Sequence, residues 1–152
     1  MSLRKLTSNT LHLAAMAGLV ILILISQANA AGATLSDGWI RRLPGDLPAA
    51  GYFTLHNGGN KSIALTGADS PSCGMLMLHK SENMGGMEHM SDVARVDVAP
   101  GETVRFAPGG YHLMCMMPAP ALKPGGRASV TLIFADGTRL QSQFAVRDAS
   151  GK

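Results

Sequence analysis

The stretch Pro108-Gly109-Gly110-Tyr111-His112-Leu113-Met114-Cys115-Met116 decides the fold, because a turn-forming triplet runs straight into six residues with strand chemistry. In a strand, side chains alternate between faces, so His112 and Met114 project together. The same alternation in Met75-Leu76-Met77-Leu78-His79 puts Met75, Met77 and His79 on one face and turns Leu76 and Leu78 toward a core. Working outward, short β-rich runs recur between Gly, Pro, Asn and Asp, and no stretch carries an apolar stripe at helical spacing. Candidate strands are 34–41, 51–57, 62–69, 75–80, 94–98, 102–106, 111–116, 128–134 and 139–145. Turn residues at Asn57-Gly58-Gly59-Asn60, Pro100-Gly101, Pro108-Gly109-Gly110, Pro124-Gly125-Gly126 and Asp136-Gly137 separate them. Many short strands in a chain of this length predict one all-β domain, a sandwich or Greek-key β-barrel.

The 152 residues are 46% hydrophobic and 15% charged, enough apolar matter for one compact core. The 13 Lys and Arg residues are scattered, and a formal net charge of +3 is small, so the electrostatic footprint of a nucleic-acid binder is missing. At the N-terminus Arg4 and Lys5 precede an unbroken apolar run from Leu13 to Ile25, followed by the small-x-small site Ala28-Asn29-Ala30. That pattern predicts a secretory signal peptide over residues 1–30, cleaved after Ala30, with a single domain over 31–152 and a periplasmic location. The run is shorter than the roughly 20 residues that span a bilayer core. No cysteine stands at the cleavage point, so a lipid anchor is not expected. The chain contains 10 Met and 5 His, yet beyond residue 30 every methionine falls between Met75 and Met117.

Ser81 to Ser91 interrupts the strand pattern, carrying Met84, Met87, His89 and Met90 around Gly85-Gly86, and reads as a mobile surface loop. The two glycines allow Met90 to fold back toward His79, so that two histidines and two methionines converge. Thioethers are soft neutral ligands suited to Cu(I), whereas zinc recruits thiolates or more histidines and hard cations need oxygen. Outside the cytoplasm methionine also avoids the oxidation that would disable a pair of thiols. Four neutral ligands leave the charge of Cu(I) uncompensated, which suits a site that hands the ion on.

His79, Met90, His112 and Met114 stand at the spacing His, ten residues, Met, twenty-one residues, His-x-Met. With the flanks Gly38-Trp39-Ile40-Arg41, Ala50-Gly51-Tyr52-Phe53 and the stretch quoted at the outset, the chain resembles the periplasmic copper chaperones of the PCu(A)C family over most of its length beyond residue 30. The resemblance implies a cupredoxin-like β-barrel and one Cu(I) held by His79, Met90, His112 and Met114. It implies delivery toward the Cu(A) centre of cytochrome c oxidase, the acceptor being a membrane protein such as subunit II of that oxidase. A thiol-reducing Sco-type chaperone is a second partner to consider, and a monomer is expected. Two features depart from the family. The C-terminal end Arg147-Asp148-Ala149-Ser150-Gly151-Lys152 lacks the His- and Met-rich tail of many members, and Cys73 and Cys115 stand where apolar residues are expected.

Met75, Met77, Met116 and Met117 read as packing or a collar around the site, and Met84, Met87 and His89 as solvated loop residues or transient copper contacts. His56 reads as an ordinary surface histidine. Cys73 and Cys115 leave two alternatives open. A disulfide would stabilise the fold by roughly 4 kcal/mol in the chain-entropy model, but strand parity points the two side chains apart unless Gly74 introduces a bulge. As free thiols, Cys73 would be an accessory copper ligand and Cys115 a core residue. An enzyme is not expected: no paired carboxylates are visible near the His and Met cluster, and there is no nucleophile elbow or CxxC. The alternative of a cupredoxin-type electron-transfer protein requires a copper-bound cysteine thiolate, usually ahead of the His and Met of one loop, whereas Cys115 follows both.

Overall fold

The computed structural model describes residues 32–152; the predicted signal segment lies outside the described residues. The strands are β1 (Ala33–Arg41), β2 (Ala49–Asn57), β3 (Ile63–Asp69), β4 (Cys73–Met84), β5 (Met87–Asp92), β6 (Val96–Val98), β7 (Thr103–Phe106), β8 (Tyr111–Pro118), β9 (Arg127–Phe134) and β10 (Arg139–Arg147). They form one sheet in the order β5-β4-β8-β2-β1-β10-β9-β3-β6, with β7 also pairing β2. Among the described strands every pairing is antiparallel except β1 with β10. One edge of β2 is divided, its residues 49–51 pairing β8 and its residues 53–56 pairing β7. The sheet curls until β3 packs against β4, enclosing the core on its inner face.

The expected all-β architecture is what the chain adopts, and alternation explains it. Leu78, Leu113, Cys115, Phe53 and Leu55 point inward and are buried, while their strand neighbours point outward. Phe53 stacks on Phe106 at 4.2 Å and meets Phe144 at 5.8 Å. Full burial of such a side chain contributes about 1.5–3 kcal/mol.

Two expectations need correction. Ser81 to Ser91 is not an irregular loop: β4 runs on to Met84, and Gly85 and Gly86, with φ of 65° and 87°, make a two-residue turn into β5. Positive φ at both central residues is what a type I′ hairpin turn requires. The strand was hidden because every residue of β5 is exposed, so no buried face imprints an apolar alternation.

The parity argument against a disulfide also fails. Cys73 and Cys115 are bonded, with Cα atoms 5.4 Å apart. Gly74 does not shift the register, which runs unbroken from Leu76↔Cys115 through Met75↔Met116 to Cys73↔Pro118. Opposite Gly74 on β8, Met117 has a left-handed backbone with φ 48°. No free cysteine remains among the described residues.

Candidate metal centre

The outer face of the β5-β4-β8-β2-β1 region carries a row of side chains that crosses five strands. The pairings are Asp92↔His79, His79↔His112 and Trp39↔Tyr52, with Tyr52 standing beside His112. Ring centroids lie 5.7 Å apart for His79 and His112, 6.4 Å for His112 and Tyr52, and 4.7 Å for Tyr52 and Trp39. Trp39 joins the row because β1 contains a bulge between Ser36 and Trp39, where Asp37 has φ 55°. The extra residue reverses the alternation and turns Trp39 to the face of Tyr52. Arg41 lies 5.4 Å from the centroids of both Trp39 and Tyr52, closing that end of the row with cation–π contacts.

The four predicted ligands share this face. His79 and His112 are direct cross-strand partners, Met114 is paired with Met77, and Met90 is paired with Ser81. Met90, His112 and Met114 line one cavity of about 360 Å³, together with Tyr52, Ala50 and Leu47. Met90 and Met114 are two strands apart, so the β4–β5 hairpin must curl over the face for both to reach it.

The histidines are presented differently. His112 is buried, and its Nδ1 lies 3.1 Å from the Gly110 carbonyl. A proton on Nδ1 donates to that oxygen and leaves the Nε2 lone pair free, the way ligating histidines are held. Burial pushes the His112 pKa below the ordinary imidazole value, against the opposing pull of the Gly110 carbonyl, so the neutral form is favoured. In His79 both ring nitrogens are buried and neither has a hydrogen-bond partner. An Asp92 carboxylate oxygen comes to 2.9 Å of His79 Nε2, but off the line a hydrogen bond needs. A buried imidazole with unsatisfied nitrogens costs stability, and a metal ion would use its lone pair. The soft donors beside His112 are the thioethers of Met90 and Met114, which line the same cavity.

Several residues at the site were not anticipated. Asp92 against His79 and Glu88 at the cavity wall bring two carboxylates to a cluster that had looked free of them. The signal was present: a two-residue Gly-Gly turn closed by Met84↔Met87 fixes the pairs Ser81↔Met90 and His79↔Asp92. Register also separates Met84, Met87 and His89 from the predicted ligands, since they lie on the face of the hairpin opposite Met90 and Glu88. His56 shares a hydrogen bond with the Thr103 hydroxyl at a strand end, away from the cluster.

This fold and site define a class: a β-barrel domain of cupredoxin-like type with a His/Met face at one edge of its sheet. The chain belongs to the LpqE-like family, whose model matches residues 33–146. It is 31% identical over 121 residues to Lxx21020 of Leifsonia xyli subsp. xyli, named as a lipoprotein, covering 79% of this chain and 72% of that protein. Among solved structures it is similar to the copper-bound PCuAC domain from PmoF2, with TM-score 0.63 and 21% identity over 78% of this chain and 94% of that one. It is also similar to the Cu(I) form of DR1885 from Deinococcus radiodurans, with TM-score 0.58 and 30% identity over 80% of this chain and 81% of that one. The resemblance to PCu(A)C proteins read from residue spacing thus meets PCuAC domains among the structural neighbours.

Proposed function

We propose that the protein is an exported, periplasmic Cu(I) metallochaperone, a non-enzymatic binding domain over residues 31–152, released from its signal peptide after Ala30. His79, Met90, His112 and Met114 hold the ion, and ligand exchange passes it to a membrane-anchored acceptor such as subunit II of cytochrome c oxidase, on the way to the Cu(A) centre. A thiol-reducing Sco-type chaperone would be a second partner. The observation that carries the reading is the pair His79–His112. Two imidazoles meet edge-on at 5.7 Å; His112, with its Nε2 left free, lines a cavity with the thioethers of Met90 and Met114, and His79 has buried ring nitrogens that make no aligned hydrogen bond, with Asp92 2.9 Å from its Nε2. Similarity to the Cu(I) form of DR1885 supports the choice of metal.

An electron-transfer site is disfavoured because Cys115 is locked in a disulfide, fully buried, and on the face opposite His112 and Met114, so no thiolate is offered to copper. The purified protein is expected to bind one Cu(I) tightly and stay colourless. His112→Ala and Met114→Ala should each weaken binding sharply, and unchanged affinity in both would overturn the assignment.

A further inference from the structure

The methionines the four-ligand site leaves unused are arranged in register. On β4, Met75, Met77 and His79 alternate; on β8, His112, Met114 and Met116 do the same. The pairings Met75↔Met116, Met77↔Met114 and His79↔His112 stack three successive rungs on one face, two of them soft thioether pairs and the third an imidazole pair. The intervening residues Leu76, Leu78, Leu113 and Cys115 face the core. Core packing therefore does not call for thioethers on the outer face, least of all at Met75, which is 51% exposed. Unbranched methionine is also a weaker strand former than the β-branched residues that packing alone would place there.

We propose that Met75, Met77 and Met116 form a second, weaker site for a soft monovalent cation, Cu(I) in the cell, one rung from the histidine pair. Directly opposed side chains in an antiparallel pair have Cβ atoms about 4.5–5.5 Å apart. Methionine's three rotatable bonds let sulfurs from Met75 and Met116 meet across the strands, with Met77 closing from the next rung. Three neutral thioethers supply no anionic charge, so the ion is held less firmly than beside imidazoles. Met77 shares its rung with Met114, so an ion leaving the Met116 sulfur can bind the Met114 sulfur next. It stays monovalent throughout and each thioether is released unchanged. The thioether site stands on the register alone; only its role as an entry or exit step rests on the proposed function.

The test is titration of the purified protein with Ag(I), a redox-inert soft cation that leaves the disulfide intact, followed by chelator competition and by the ε-methyl NMR signals of methionine. The wild-type protein should take up two equivalents, the weaker one shifting the methyls of Met75, Met77 and Met116. Met75→Leu/Met77→Leu/Met116→Leu should lose the weaker equivalent and keep the tight one. The exposed single change Met75→Leu, which disturbs no core, should weaken the second equivalent by about tenfold or more. His79→Ala/His112→Ala should lose the tight equivalent and keep the weaker. One equivalent in the wild type, or two undiminished equivalents in both leucine variants, would overturn the second site. A tight equivalent that survives in the histidine variant would overturn the proposed function and leave the second site standing.

Discussion

His79 of β4 and His112 of β8 are direct cross-strand partners with rings 5.7 Å apart, but only His112 is anchored, through its Nδ1 to the Gly110 carbonyl 3.1 Å away. The proposed site thus pairs an anchored imidazole with one whose ring nitrogens are buried and make no aligned hydrogen bond. Asp92, 2.9 Å from His79 Nε2, would supply the negative charge that the four neutral side chains proposed as ligands lack. Its side chain is 85% exposed, so solvent screens that charge and a bound ion would remain exchangeable.

His79→Leu should therefore leave the metal-free protein as stable as the wild type or more so, because an unsatisfied buried polar group costs about 1–3 kcal/mol. The same change should abolish most of the rise in Tm produced by Cu(I), since stabilisation by a ligand depends on its affinity for the folded state. Thermal melts with and without Cu(I) in ascorbate check both halves. A large fall in the melting temperature of the metal-free variant would show that the imidazole has a structural role instead.

Met90 reaches the site only because the β4–β5 hairpin curls over it, so the turn should control copper affinity from a distance. Gly85 and Gly86 have φ of 65° and 87°, where a β-branched residue is strained by roughly 1–2 kcal/mol. Gly85→Val/Gly86→Val should loosen the hairpin and weaken Cu(I) binding to about the extent of Met90→Leu. Gly85→Asn, which suits a type I′ turn, should preserve it. Competition against a Cu(I) chelator measures the affinities, and equal binding by the Val and Asn variants would sink the idea that the hairpin delivers Met90.

Most of the barrel was legible in the sequence because its strands have one buried face. The alternation in residues 51–57, 75–80, 111–116 and 128–134 follows from a core on one side and water on the other. The shared outer face was legible for the same reason, since period two puts His112 with Met114 and Met77 with His79. What stayed hidden depends on register and irregularity. β5 has no buried face, so Asp92 and Glu88 could be placed only after the Gly-Gly turn fixed the pairing. Trp39 reaches the row beside Tyr52 through a one-residue bulge, and Cys73 is bonded to Cys115 across β4 and β8, neither of which strand parity anticipates.

The β1 bulge should be intolerant of a single methyl group. A Cβ on Gly38 would lie 2.6 Å from a ring carbon of Phe144, itself fully buried, so Gly38→Ala must displace that ring or straighten the bulge. Overpacking of this kind costs about 1–3 kcal/mol. Denaturant unfolding should show that loss, and the fluorescence of Trp39 should change as it moves away from Tyr52. A variant with wild-type stability and fluorescence would mean that the bulge relaxes freely.

The disulfide should matter for stability and not for copper. Cys73 and Cys115 are 42 apart in sequence, and opening that loop is expected to cost about 4 kcal/mol in the chain-entropy model. Cys73→Ala/Cys115→Ala should accordingly melt well below the wild type, with a further contribution from the cavity left at fully buried Cys115. Because Cys115 faces the core while His112 and Met114 face outward, the variant held below its melting temperature should still bind one tight Cu(I), with affinity within about tenfold of the wild type. Calorimetry and chelator competition on the same samples separate the two effects. Loss of the tight equivalent in a variant that remains folded would make the cysteines part of the copper site and overturn the assignment of all four ligands to histidine and methionine.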